Sequence, residues 1–239
     1  MNKVIKKKIK GSCVLIVGAG SSVEKYQGKI EKFIKENNAV TIGINNINGL
    51  FIPDYHFWGS RRWEKFGKRS SDKSYFIFSH GFSKKSILKF GERAYFVLKD
   101  KHWSIFRNTG IMATHFSYIH GAISVNLVGM DGYTYYPYDD LKEEKQAQHC
   151  YGKGITDGQP YERGRQKDKR NYETLKSLYG SMKKKYKFGF EILTPTVYGE
   201  FYNSKILDIS EKSKAIPAKR SAEPKINKRR FMKKSKYWL

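Results

Sequence analysis

The sequence predicts an α/β fold: a single Rossmann-like domain with a mostly parallel sheet covered by helices on both faces, followed by a basic C-terminal tail. Three observations predict it. Short, near-continuous apolar runs recur along the chain, as strands buried on both faces require. Segments with helical spacing separate several of these runs, the alternation that builds parallel crossovers. The first run, "VLIVGAGSS", leads directly into a glycine-rich turn and a helix.

In order, "SCVLIVG" is the first strand. "SSVEKYQGKIEKFIKEN" repeats apolar residues at Val23, Tyr26, Ile30, Phe33 and Ile34, a helical period with Ser21 or Ser22 as its N-cap. "NAVTIGIN" is rich in β-branched residues and reads as a strand. "PDYHFWGS", "KSYFIFSHG" and "ERAYFVLK" are further strands. "TGIMATHFSYIHG" is a helix closing on Gly121, and "SVNLVGMD" is a buried strand. "RNYETLKSLYGSMKKKY" is a helix and "FGFEILTP" the last strand. The domain spans 11–209, with a polar loop or lid over about 132–170. Residues 1–10 form a basic arm and 210–239 the tail.

Lys and Arg number 47 against 22 Asp and Glu, a net charge of +25, with 17 Tyr and 15 Phe. Such a balance favours polyanions: nucleic acid, an anionic membrane surface or phosphorylated substrates. From Glu211 to Leu239 there are eleven Lys or Arg, two Glu and few apolar residues, too little apolar surface to order the segment alone. Cys13 and Cys150 are the two cysteines, which excludes a disulfide framework or a cysteine-rich zinc site and fits a reducing, cytosolic compartment. No apolar run reaches the roughly 18 residues of a membrane helix. The basic-then-apolar start resembles a signal peptide, but its apolar run is short and broken by glycines, which favours a first strand.

A strand–Gly-x-Gly–helix unit presents backbone N–H groups at a helix N-terminus, where the dipole favours an anion. Gly18, Ala19, Gly20, Ser21 and Ser22 are therefore a candidate phosphate or nucleotide site; the alternative is a tight turn without ligand. NAD is disfavoured. Val23 holds the third glycine position, and no acid follows the second strand. A P-loop Lys-Ser/Thr ending is also missing. Asn45, with Asn46, falls at the carboxyl end of the second strand, where it would serve a ribose or a base edge, or else a turn. Thr109 and Gly110 open a second helix. The buried strand after it ends in Asp131, followed by Tyr133, Tyr135, Tyr136 and Tyr138. Tyrosine hydroxyls can donate to phosphate and the rings can stack on a base, or the rings can pack the loop on the core.

The segments "VLIVGAGSS", "TIGINN" and "TGIMATHFSYIHGAISVNLVGMDGYTYY" resemble, in order and spacing, those of the bacterial lipooligosaccharide sialyltransferases, glycosyltransferase family 42, over roughly residues 11–200. The resemblance implies one nucleotide-binding domain, a CMP-sugar donor, no metal and a lid over the donor. It matches Gly18, Gly20 and Ser22 to the nucleotide turn, Asn45 to the asparagine after the second strand, and Thr109 and Gly110 to a Ser-Gly helix start. It matches Tyr133 to a tyrosine on the donor phosphate, with Tyr136 or Tyr138 as a second. The chain departs from the family at Ala19 and Gly59, where asparagines are expected.

Glycosyl transfer to a hydroxyl calls for a general base or strong leaving-group stabilisation, and histidine suits a base at neutral pH. His149 lies in the loop equivalent to the one that carries the family's catalytic histidine; a solvated loop histidine is the alternative. His115 and His120 sit on a core helix and read as packing or capping residues. Arg163, Arg165, Lys167, Lys169 and Arg170 read either as a clamp on donor phosphates or as a solvated basic face. Asp139-Asp140 is not an Asp-x-Asp metal motif and no zinc spacing occurs, so no cofactor or metal is expected beyond the nucleotide-sugar co-substrate.

The expected activity is transfer of a sugar, sialic acid or a related acidic sugar, to a surface glycan or glycolipid. Each basic tail residue near an anionic leaflet contributes on the order of 1 kcal/mol, so the tail, with Phe231 and Trp238, would hold the protein on the inner membrane face. Relatives of this type often assemble, so a homo-oligomer is a further expectation. The alternatives are another nucleotide-dependent transferase on the same scaffold and a basic nucleic-acid-binding protein, for which no recognition signature is present.

Overall fold

β1, Cys13–Val17, sends Val14 and Ile16 to one side and Leu15 and Val17 to the other, and all four are fully buried. A strand apolar on both faces must be covered on both. In the computed structural model, which describes residues 8–47, 49–59, 73–79, 82, 94–96, 106–134, 161–184 and 187–208, it lies inside a seven-stranded sheet. The others are β2 (Val40–Ile44), β3 (Tyr55–Trp58), β4 (Tyr75–Phe78), β5 (Ala94–Phe96), β6 (Ser124–Val128) and β7 (Gly189–Ile192). Their order is β5-β4-β3-β2-β1-β6-β7, and every pairing is parallel.

Among the described residues, α-helices cover both faces of this sheet. α1 (Ser22–Lys25) and α2 (Gln27–Glu36) share the predicted first helix, which breaks at Tyr26. α2 turns Ile30 and Phe33 onto Leu15 and Val17. α3 (Thr109–Ile119) and α4 (Tyr161–Lys183) cover the opposite face, where Ile111, Met112, Phe116, Leu175 and Met182 pack on Val14, Ile16, Ile42 and Phe57. Ile9, within the predicted basic arm, is buried in this second layer. Among the described residues, no helix is long and apolar enough to cross a membrane.

α4 corrects the expected element boundaries. It begins at Tyr161 rather than Arg170, so Arg163, Arg165, Lys167 and Lys169 are helical and not part of a loop. Its early inward positions are Gly164, Asp168 and Asn171, spaced like a helix but carrying no apolar signal. The predicted tail, most of the predicted lid (135–160) and the arm's first seven residues lie outside the described residues.

The chain builds outward from β1 to β5, then returns to the other side of β1 for β6 and β7. This reversal moves the helices to the second face and parts the connections at the carboxyl ends of β1 and β6. Such a switch point is where open α/β sheets leave a crevice for ligands.

Candidate functional site

A cavity occupies this switch point. Its lining comes from the carboxyl ends of three strands (Ala19 and Gly20 after β1, Ile44 and Asn45 at β2, Gly129 to Tyr133 after β6), from the start of α3 (Arg107 to Gly110), and from Tyr198. Seven residues singled out on sequence lie on it: Ala19, Gly20, Asn45, Thr109, Gly110, Asp131 and Tyr133. Gly18, Ser21 and Ser22 do not. Tyr136 and His149 lie outside the described residues.

The glycine turn is built around a carboxylate of the chain itself. Ser22 donates its backbone N–H to Asp131 Oδ2 at 3.0 Å and its hydroxyl to Oδ1 at 2.5 Å, and the Ser21 hydroxyl reaches Oδ2 at 3.4 Å. Asp131 thus caps α1, whose first turn gains no side-chain cap from Ser21. Gly20 is glycine because of this contact: a Cβ there would lie 2.5 Å from the carboxylate. Gly18 is equally constrained, its Cβ position falling 2.4 Å from the Gly129 carbonyl oxygen. Where the sequence offered Ser22 to a ligand phosphate, the side chain of Asp131 takes its N–H and hydroxyl. Burial pushes the Asp131 pKa up to about 6, and the bonds from Ser22 and Ser21 pull against that rise.

The other side of the cavity is neutral. Asn108 caps α3, its Oδ1 accepting from the N–H groups of Gly110 (2.8 Å) and Ile111 (3.3 Å). Asn45 adopts a left-handed backbone, φ 54°, at the end of β2. Its Nδ2 donates to Thr109 Oγ1 at 3.1 Å and its Oδ1 accepts from Gly59 N–H at 3.2 Å. The carboxamide therefore ties β2, β3 and α3 together. A Cβ at Gly59 would come within 2.3 Å of Thr109 Oγ1, so the space that an asparagine would need at Gly59 is filled by Thr109.

Arg107 is exposed on the cavity wall. Lys167 of α4 lies over the Tyr133 ring, 4.7 Å from its centroid. Asp168, one residue further on α4, accepts from the N–H groups of Tyr133 (2.9 Å) and Thr134 (2.8 Å) and from the hydroxyls of Thr134 (2.8 Å) and Tyr198 (2.9 Å). This one buried carboxylate fixes two tyrosines of the cavity wall. Burial and the adjacent Asp168 charge hold the Tyr198 phenol well above its ordinary pKa, so it stays a neutral donor.

Arg107, Asn108, Asp168 and Tyr198 were not singled out as site residues. Asn108 had a signal, an N-cap residue before the Thr-Gly helix start; Asp168 and Tyr198 reach the cavity through tertiary contacts alone. His120 Nδ1 donates to Phe116 O of its own helix at 2.7 Å, and His115 packs beside Phe106, both away from the cavity lining. Among the described residues no group of three or more His, Cys, Asp or Glu side chains could hold a metal ion.

In comparisons with known proteins, no family model matches the chain and no curated protein matches it.

Proposed function

We propose that this chain is a metal-independent glycosyltransferase that holds a nucleotide-sugar donor, CMP-linked, in the switch-point cavity and passes the sugar to a glycan or glycolipid hydroxyl. One observation carries the reading: seven residues chosen on sequence, scattered from Ala19 to Tyr133, converge on a single cavity at the ligand side of the sheet.

The distribution of charge orients the donor. Asp131 fills the α1 end of the glycine turn with negative charge, so the donor phosphate belongs away from that carboxylate, where the lining offers Arg107 as a cation and the Tyr133 hydroxyl as a donor. Asn45, Asn108 and Thr109 offer neutral donors and acceptors to the nucleoside. In the transfer, the bond from the anomeric carbon to the phosphate oxygen breaks as the acceptor oxygen bonds that carbon. The acceptor proton passes to His149 as general base, and Tyr133 donates to the departing phosphate. The basic tail holds the enzyme on an anionic membrane surface beside its lipid-linked acceptor.

The test is turnover of CMP-sialic acid by the full chain in EDTA, with lactose-terminated lipid as acceptor. Product formation lost in His149→Ala and reduced in Tyr133→Phe is the expected result. Turnover of UDP- or GDP-sugars alone would keep the transferase and discard the CMP-linked donor. No turnover and no nucleotide binding would overturn the reading.

A further inference from the structure

His56 is a buried titratable group that the site described above does not use. It sits on β3 with 3% of its surface exposed. Tyr55 and Phe57 turn toward α3 and α4, so by strand alternation His56 and Trp58 face the other side of the sheet. There the imidazole stacks on Trp58 (4.8 Å between centroids, 9° between planes) and on Phe76 of β4 (6.4 Å, 15°). Its Nε2 lies 2.5 Å from the carbonyl oxygen of Asn45. Its Nδ1 is buried with no hydrogen-bond partner among the described residues.

This arrangement is an odd use of a histidine in a packed aromatic layer. A phenyl ring would stack in the same place and leave no orphan nitrogen. What imidazole adds is a single donor. Burial holds its pKa down at about 4, so at neutral pH the ring carries one proton, and the carbonyl opposite Nε2 fixes that proton there. The acceptor is the carbonyl of Asn45, a cavity-lining residue with a left-handed backbone whose carboxamide is held between Thr109 and Gly59. Left-handed conformations in residues other than glycine persist where surrounding contacts hold them. Asn45 is held on three sides: its N–H by Phe57 O at 2.9 Å, its carboxamide by Thr109 and Gly59, and its carbonyl by His56.

We infer that His56 is a positioning residue for the cavity: its Nε2–H anchors the Asn45 carbonyl and so keeps the Asn45 carboxamide set between Thr109 and Gly59 for a ligand. That the ligand is a nucleotide rests on the proposed function.

The test compares His56→Phe, His56→Gln and His56→Asn in the full chain. Gln can place its amide nitrogen near the position of Nε2; Asn, one methylene shorter, cannot. The Phe variant is expected to keep its melting temperature within about 3 °C and to bind CMP about tenfold more weakly. Gln restores affinity to within about threefold of the parent, and Asn behaves like Phe. In ligand-free crystals of the Phe or Asn variant, Asn45 leaves the left-handed region and its carboxamide leaves Thr109. Unchanged Asn45 geometry in both variants, or unchanged CMP affinity with altered geometry, overturns the inference. If the parent chain binds no CMP, the nucleotide reading fails on its own, and the ligand-free geometry of Asn45 decides the role of His56. Should His56→Phe not fold, the Gln and Asn pair, alike in polarity, carries the comparison.

Discussion

Two helices point their amino ends at the cavity, and the chain closes them differently. α3 is capped from within its own segment by Asn108, the residue before its first turn. α1 is capped by Asp131, 109 positions away, with Ser22 supplying both a backbone and a hydroxyl donor. The first cap is neutral and local. The second is a buried carboxylate brought by β6, and it makes one side of the cavity acidic while the other stays neutral and leads to Arg107. A Gly-x-Gly turn at a helix start is therefore no guarantee of a bound phosphate. The same donors serve an internal anion when a neighbouring strand delivers one.

The largest effect that separates the two sides is a pH dependence. Asp131 has its pKa raised from 3.8 to about 6. The folded state holds this proton more tightly than the unfolded chain does. Its contribution to stability is full below about pH 4 and is lost as pH rises through about 6, a change of about 3 kcal/mol. Denaturant unfolding of the parent and Asp131→Asn from pH 4 to pH 8 measures it; a difference that stays flat with pH contradicts the buried carboxylate. His56 has the opposite sign. Its pKa, lowered to about 4, gives stability that is full above about 6.5 and falls as the solution is acidified toward 4.

Next in size is Gly20→Ala, which drives a methyl into the Asp131 carboxylate and costs about 2 to 3 kcal/mol. Circular-dichroism melts should show most of that loss absent when Gly20→Ala is made in an Asp131→Gly background, since the obstacle is one side chain. On the neutral side, Gly59→Ala meets Thr109 and costs about 2 kcal/mol, recovered in part by Thr109→Ala. Two additive losses in that double-mutant cycle would mean that the two residues do not touch. The smallest effect is Asn108→Ala, about 1 kcal/mol, the ordinary cost of an N-cap.

The same contrast explains what was legible in the sequence. The strands were, because Val, Ile and Phe runs buried on both faces leave an unbroken apolar signal, as in "VLIV" and "YFIF". That Ala19, Gly20, Asn45, Thr109, Gly110, Asp131 and Tyr133 would come together was legible because strand ends and helix starts are local features, and a parallel sheet gathers them at one edge, here around one cavity. The partnership of Asp131 with Ser22 was not, since nothing within a dozen residues of either announces it. The first half of α4 was hidden for another reason. Its inward stripe of Gly164, Asp168 and Asn171 keeps helical spacing but buries polar groups that bond to Tyr198 and to the backbone after β6. Hydrophobic periodicity cannot report a face built that way. Gly59 itself is explained by a tertiary contact, since a Cβ there would meet the Thr109 side chain.

In the function proposed above, the switch-point cavity takes a nucleotide through its neutral side. Isothermal titration of CMP into the full chain in EDTA tests it most directly, with Asn45→Ala and Ser22→Ala measured in parallel. Saturable, metal-independent binding is expected, weakened about tenfold by Asn45→Ala and left within about threefold by Ser22→Ala, because the Ser22 hydroxyl serves Asp131. No binding of CMP, or a loss in Ser22→Ala as large as that in Asn45→Ala, would contradict it.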